Sequence, residues 1–218
     1  MNNFNPIIFS LVIAIPTSLV YADNNHDELQ RFKLKNGKVT ASQVSTALDS
    51  NGDGFTANLT TGFGDSNYGR LYGRSASEVK PSLSDPTDPT SFNFCAMPNG
   101  EPGVLFELET FNGVLRIDDL KGAVILSKNE GTACFEASSC LDQATGQLLA
   151  GCKFVGDWKL DIKGGLGELK DATGQLTLKG DGTTLFAHPT GNFAGFDGLF
   201  EGDIYVPRKN HYKNNRKD

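Results

Sequence analysis

Residues 167–176 read GELKDATGQL, and residues 191–200 read GNFAGFDGLF. Both stretches follow the pattern Gly-x-Φ-x-x-Φ-x-Gly-x-Φ, where Φ is an apolar residue, at an offset of 24 residues. A shorter copy occurs earlier, because ATGQL at 144–148 returns at 172–176. A glycine that accepts a positive φ suits a turn between paired strands, and the apolar positions can then close one end of a shared core. The repeats therefore predict a fold built from sheets, with both repeats at one end.

Alternating apolar and polar residues predict strands along much of the remaining chain. Between residues 153 and 163, Phe154, Trp158, Leu160 and Ile162 fall on one face, and charged residues take the other. A strand with one dry and one wet face is typical of an antiparallel sheet. About nine strands, in a chain with 25 glycines and 15 phenylalanines, predict a single antiparallel β-barrel of about eight strands. A two-sheet β-sandwich is the alternative.

Shorter signals predict local structure before residue 120. Asn-Gly pairs at 36–37 and 112–113 lie between apolar runs and predict two-residue hairpins. Residues 40–48 predict one short N-terminal helix, because a threonine can cap it and two apolar residues follow four apart. The alternation after residue 54 predicts a half-buried strand whose dry face includes Leu59. The polar Asn58 on the other face begins a glycosylation sequon.

The termini predict export and a loose tail. Residues 1–22 resemble a signal peptide, because the apolar run 7–15 is shorter than the roughly 20 residues that span a bilayer. An uncleaved anchor is the alternative, since no Lys or Arg precedes that run; cleavage would leave no transmembrane span. Residues 23–30 are predicted to be loose, and residues 31–206 to form the barrel. The basic segment 207–218 is predicted to be a disordered tail, with contact to an anionic surface as the alternative. The protein is expected to be secreted or periplasmic.

Four cysteines, Cys95, Cys134, Cys140 and Cys152, predict two disulfides in an exported chain. Three pairings are possible. A turn near 142–146 would fold the residues before it back on those after it, placing Cys134 opposite Cys152. That arrangement leaves Cys95 to pair with Cys140. A zinc site is the alternative, although no Cys-x-x-Cys pair exists.

The segment Asp49-Ser50-Asn51-Gly52-Asp53-Gly54 resembles the opening of a calcium-binding loop. Oxygen-bearing side chains at Asp49, Asn51 and Asp53 alternate so that they can converge on a cation, and Gly54 permits the bend. Thr60 stands where such loops carry a bidentate glutamate, so only a weak calcium site is predicted. A simple turn, in which Asp49 and Asn51 cap backbone N–H groups, is favoured over calcium. No other cofactor is expected.

The glycine-rich repeats in 164–180 and 191–202, ahead of a final strand, resemble those of the allene oxide cyclase and dirigent proteins. Uncharacterised exported bacterial proteins share such repeats, and the resemblance extends back through residues 140–146 to the Asp-Gly-rich stretch before residue 55. The resemblance implies an eight-stranded antiparallel barrel. Its motif shapes turns and marks a fold rather than an activity. No catalytic carboxylate or pocket residue of that family matches a position here.

Few residues suggest catalysis. Of three histidines, only His188 lies away from the predicted tails, and no nucleophile, zinc-protease or phosphate-loop motif occurs. Carboxylates are the remaining acid–base candidates, because one buried in an apolar barrel would have a raised pKa. A solvated strand face is the favoured interpretation of these side chains, which are Glu107, Glu109, Glu136, Glu168 and Glu201.

Three functions remain open. The favoured one is an exported, non-catalytic barrel that binds a small apolar ligand or a surface partner. The second is a cofactor-free isomerase or cyclase like the allene oxide cyclases, which an apolar interior with a buried glutamate would favour. The third is a structural or adhesive protein, which a filled interior would favour. The net charge of −6 argues against nucleic acid as a partner, and the oligomeric state stays open.

Overall fold

The computed structural model describes residues 29–46, 57–88, 90–140, 150–188 and 191–208. Nine strands and one helical turn occupy most of these residues. The strands are β1 (Leu29–Thr46), β2 (Ala57–Ser66), β3 (Gly69–Pro81), β4 (Phe94–Ala96), β5 (Pro102–Ile117), β6 (Gly122–Glu136), β7 (Lys153–Gly167), β8 (Thr173–His188) and β9 (Gly191–Pro207), and the helical turn α1 is Ala137–Cys140. The sheet therefore begins two residues before the predicted barrel and ends one residue after it.

All neighbouring strands run antiparallel, in the order β3-β2-β1-β9-β8-β7-β6-β5-β4. β3 also pairs with β5, from Leu71 opposite Ile117 to Pro81 opposite Phe106, so eight strands form a closed ring. β4 pairs with the end of β5 beyond that contact. Closure joins the two edges that an open sheet would expose. The predicted all-β, antiparallel fold with about eight strands is confirmed.

The ring has two halves with different contents. In the turn half, short connections at 67–68, 118–121 and 168–172 join β2 to β3, β5 to β6 and β7 to β8. Its interior is filled by buried aliphatic side chains that include Leu34, Leu71, Ile117, Leu160, Leu169, Leu176 and Ile204. The loop half carries the longer connections between strands. Its interior holds a second buried cluster, which includes Phe106, Phe135, Phe154 and Phe196. The predicted inward face of residues 153–163 is confirmed, because Phe154, Leu160 and Ile162 are all buried.

Both predicted Asn-Gly hairpins are wrong, because the strands continue through them. At 36–37 the register of β1 against β9 shifts between Leu34 and Gly37, and Asn36 has a φ of 52°. The Asn-Gly pair thus forms a β-bulge, which uses the same left-handed backbone as a turn. At 112–113, β5 passes straight on between β3 and β6, since pairing on both sides holds it extended.

The predicted N-terminal helix is also wrong over its described part. Residues 40–46 belong to β1 and pair with β2 on one side and β9 on the other. Ala41 is buried between the exposed Thr40 and Ser42, which is the two-residue period of a strand. Pairing on two sides overrides a weak helical preference. Residues 47–48 lie outside the described residues.

The two glycine repeats do not share one end of the barrel. The first spans the connection from β7 to β8, where Gly167 has a φ of 65° and Asp171 a φ of 61°. The second lies inside β9, so the predicted turn there is wrong. A Cβ at Gly198 would overlap the Phe196 ring. Gly198 therefore makes space for an aromatic side chain, whereas Gly167 bends the backbone.

The predicted dry face of β2 is reversed. Leu59 is 54% exposed, and Asn58 is 4% exposed. Gly62 lies on the same face as Asn58, where a Cβ would come 3.0 Å from the Cβ of Ala41 on the neighbouring strand. Because side chains alternate with a period of two, this close approach fixes which residues of β2 face inward. The sequon asparagine is consequently buried.

The disulfides are Cys95–Cys134 and Cys140–Cys152, so the predicted pairing is wrong. Cys134 lies opposite Val155 rather than Cys152. The Cys95–Cys134 bridge crosses β5 at Gly103, where a Cβ would overlap the Cys134 sulfur and lie 3.2 Å from Cys95 Sγ. The four cysteines form disulfides instead of a zinc site, and two bridges fit an oxidising compartment.

The second bridge, Cys140–Cys152, closes the connection from β6 to β7 with a Cα–Cα distance of 4.5 Å. Both of its cysteines are fully buried in the loop half. The bridge therefore ties the end of α1 to the start of β7. The calcium candidates Asp49, Asn51 and Asp53 lie outside the described residues, as do residues 1–28 and 209–218.

Candidate functional site

A cavity of about 130 Å³ lies in the loop half of the barrel and reaches its boundary with the turn half, where Val39, Leu115 and Phe200 line it. One wall, on β6 to β9, carries aromatic rings, and the facing wall, on β1 to β3, carries small and polar residues. The aromatic wall includes Phe135, Phe154, Trp158 and Phe196, and the facing wall includes Ala41, Gln43, Asn58, Thr60, Gly62, Gly73, Ser75 and Ser77. The cavity thus has two chemically different sides.

Missing side chains create the space. Ala41, Gly62 and Gly73 lie side by side across β1, β2 and β3, and we call these three residues the small row. Phe196 continues the same row on β9, opposite Ala41. A Cβ built at Gly73 would have Leu115 Cδ1, at 3.7 Å, as its nearest neighbour. There is room at Gly73 for a side chain that the sequence does not supply.

A polar row lies next to the small row, two residues further along each strand. It consists of Gln43, Thr60 and Ser75, which are neighbours across β1, β2 and β3. All three side chains are half-buried and line the cavity. Asn58 and Ser77 form a further polar pair beside it. Most of the hydroxyl and amide groups of the cavity therefore lie along this side, and Thr184 on β8 adds one hydroxyl to the other side.

The opposite wall is a chain of aromatic contacts. Ring centroids lie 4.8 Å apart for Phe106–Phe135, 5.0 Å for Phe135–Phe154 and 6.2 Å for Phe154–Phe196. Trp158 meets Phe196 edge to face at 5.3 Å. Such offset and edge-to-face pairs are favoured over direct stacking and fix the rings in place. The wall is consequently rigid and apolar.

Glycines on this wall leave the space that the aromatic rings occupy. A Cβ at Gly182, between Phe154 and Phe196 in the sheet, would overlap Phe154. A Cβ at Gly156 would overlap the six-membered ring of Trp158. Trp158 is the single tryptophan of the chain, so its fluorescence reports on the cavity alone. Among the described residues its indole Nε1 has no hydrogen-bond partner and is buried.

No aspartate or glutamate occurs among the described residues that line the cavity. Glu107 accepts a hydrogen bond from Ser82 Oγ at 2.7 Å, and Glu109 pairs with Lys80 at 2.8 Å, both away from the cavity. Glu109 sits where the pairing of β5 with β3 shifts register, so the two-residue alternation of β5 is interrupted between Glu107 and Phe111. Phe111 lines the cavity and the two glutamates do not.

The other carboxylate candidates are also outside the cavity. Glu168 and Glu201 are exposed, and Glu136 is half-buried at the end of β6. The side chain of His188 is not among those described. Within the described part of the chain, no three His, Cys, Asp or Glu side chains are grouped as metal ligands.

The strongest carboxylate pKa shift lies on the outer surface of β7. Hydrogen bonds from Asn129 at 2.8 Å, Lys163 at 3.0 Å and Gln175 at 3.2 Å lower the pKa of Asp161 to about 2. Arg31 lowers the pKa of Asp203 through a two-pronged hydrogen bond. Hydrogen bonds on the outer surface cause both pKa shifts. Neither Asp161 nor Asp203 lines the cavity.

The outer surface of the ring also carries exposed apolar side chains. They lie on neighbouring strands from β2 to β7 and include Leu59, Phe63, Tyr72, Val114, Ile125 and Leu166. Phe63 is 65% exposed and lies opposite Tyr72. The described residues contain no helix with the length and hydrophobicity needed to cross a bilayer.

No family model, curated protein or solved structure matches this chain.

Sequence reasoning missed the cavity residues, although a signal for them was present. Residues 58–64 alternate Asn, Thr, Gly and Gly with Leu, Thr and Phe. The small and polar set of this alternation faces inward, and the apolar set faces out. A strand whose inward positions are small leaves space, but only the register of the neighbouring strands shows which set is inward.

Proposed function

We propose that this chain is an exported, non-catalytic β-barrel protein that binds one small neutral molecule inside the loop half of its barrel. The cavity of about 130 Å³, with its aromatic wall, is the observation that carries the proposal. An apolar cavity of about 150 Å³ is known to accept benzene, so the space suits a molecule of about one ring. Rigid aromatic walls favour a flat apolar ligand.

Export to an extracellular or periplasmic space is part of the proposal. The two disulfides and the apolar segment at 7–15 support it. The ring of eight antiparallel strands supports the proposed resemblance to the allene oxide cyclase and dirigent proteins. A buried glutamate would favour the isomerase alternative, and Glu78 on β3 is buried and accepts a hydrogen bond from Thr110 Oγ1 at 3.2 Å. Glu78 does not line the described cavity, however, so the cavity offers a ligand no carboxylate. Binding to a surface partner stays a prediction from the sequence.

The proposal is tested with Gly73→Val, which fills the cavity from its small row. Toluene is titrated into the protein while Trp158 emission is followed, and calorimetry gives the affinity. We expect saturable binding to the wild type and at least about tenfold weaker binding to Gly73→Val. The melting temperature of Gly73→Val should be no lower than that of the wild type, because a filled cavity stabilises.

Ala76→Val is the matched control, since Ala76 lies on the same strand but is exposed. It should bind toluene as the wild type does. If toluene, benzyl alcohol and phenol all fail to bind the wild type saturably, the proposed function is wrong. Equal binding by a folded Gly73→Val would place the ligand elsewhere and would contradict the proposal as well.

A further inference from the structure

The polar row of Gln43, Thr60 and Ser75 is not needed to bind an apolar ring. Within the described part of the chain, none of these three side chains forms a hydrogen bond to another described side chain or backbone group. They are half-buried and line the cavity. A hydrocarbon in the cavity would separate them from water without replacing the lost hydrogen bonds, which is unfavourable. The polar row therefore favours a ligand that carries a polar group over a pure hydrocarbon of the same size.

The charge of the ligand follows from the lining. Acidic residues are absent from its described part, and Arg74 is its one ionisable side chain there. Arg74 is exposed, between the inward-facing Gly73 and Ser75. A charged ligand inside the barrel would thus lose its hydration without a counter-ion facing it. A neutral polar group is compatible with the hydroxyl and amide groups of the polar row.

The spacing of the two rows sets where that group lies. A ring seated over Ala41, Gly62 and Gly73 contacts Phe196 in the same row. The polar row lies two residues further along each strand, which is roughly 7 Å. A substituent that points from the ring along the strands therefore meets Thr60 and Ser75. Each hydroxyl there can both donate and accept a hydrogen bond.

We infer that the ligand is a single-ring aromatic molecule with a neutral hydroxyl group, of the phenol class, and that Gln43, Thr60 and Ser75 determine this specificity. The inference rests on the proposed function, because it concerns the same cavity. The aromatic wall holds the ring, and the polar row exchanges hydrogen bonds with the hydroxyl group. The polar row selects the ligand, whereas the aromatic wall supplies most of the affinity.

Phenol and toluene test the inference, because they differ only in a hydroxyl against a methyl group. Both are titrated into the wild type, Thr60→Val, Ser75→Ala and the matched control Thr61→Val, whose side chain faces outward. The ratio of phenol affinity to toluene affinity is compared, so that the different hydration of the two ligands cancels. One lost hydrogen bond should lower this ratio about fivefold in Thr60→Val and in Ser75→Ala, and leave it unchanged in Thr61→Val.

Each result has a separate meaning. If both ligands bind and the ratio is the same in all four proteins, the inference is overturned while the proposed function stands. If neither ligand binds the wild type, the proposed function fails and the inference fails with it. If Thr60→Val and Ser75→Ala each weaken the binding of toluene as much as that of phenol, the polar row supports the structure of the cavity and does not select the ligand. That result would also overturn the inference.

Discussion

The turn half and the loop half of this barrel are built from the same eight strands but have different interiors. Branched aliphatic side chains such as Leu34 and Ile204 fill the turn half. In the loop half, glycines and aromatic rings alternate around the cavity, and two disulfides cross-link the wall and its connections. The difference teaches that one end supplies close packing, whereas the other keeps an internal space open. Covalent bridges offset the contacts that the cavity removes.

Truncation of a buried leucine in the turn half should have the largest effect. Leu160 is fully buried there, and Leu160→Ala should lower the free energy of unfolding by about 3 kcal/mol, because it leaves a cavity in a packed core. Leu166→Ala is the control on the same strand, since Leu166 is 58% exposed. Urea denaturation of both variants measures the difference. Similar small losses in both would show that the turn half is loosely packed.

Removal of the Cys140–Cys152 bridge should have a smaller and more local effect. The cysteines are 12 residues apart, so replacing both with alanine should lower the free energy of unfolding by about 2–3 kcal/mol. Hydrogen exchange should quicken at amides of the loop half, such as Phe135 and Phe154. Amides of the turn half, such as Leu71, should keep their protection relative to global unfolding. Uniform acceleration in both halves would contradict the division of the barrel.

The smallest expected effect concerns the outer surface of the turn half. The pKa of Asp161 is lowered from 3.8 to about 2 by its hydrogen bonds. Because the folded-state pKa is depressed, its stabilising contribution is present above about pH 4 and is lost as the pH falls towards 2. An NMR titration of the Asp161 carboxyl should have a midpoint near 2. Asn129→Ala, which removes the strongest donor, should raise that midpoint; an unchanged midpoint would exclude this cause.

The sequence predicted the strands whose two faces differ most. Residues 153–163 of β7 alternate between large apolar and charged side chains, so the inward face could be assigned without a neighbour. In β2, both faces carry small or uncharged residues, and the assignment of Leu59 and Asn58 was reversed. The cavity therefore could not be predicted from the sequence, because it depends on which face of β2 points inward.

Local signals failed where pairing on both sides decides the structure. Asn36 does adopt the positive φ that its Asn-Gly pair favours, but β9 pairs with β1 before and after the bulge, and β2 joins from Lys38 onward, so the chain stays extended. The cysteine pairing failed for a related reason. Cys95 reaches Cys134 across β5, over Gly103, and this crossing depends on the position of β4. Neither the bulge nor the crossing can be read from a single stretch of sequence.

The pairing of β1 with β9 affects how the chain folds during its synthesis. Leu29 lies opposite Pro207, so the ring joins the first and the last of the described strands. During synthesis, β1 is finished long before its second neighbour exists, and a contact between such distant segments forms slowly. A chain that stops short of β9 would hold β1 and β8 as two unpaired edges. Such edges pair readily with other chains, so incomplete synthesis yields a molecule prone to aggregation instead of a smaller barrel.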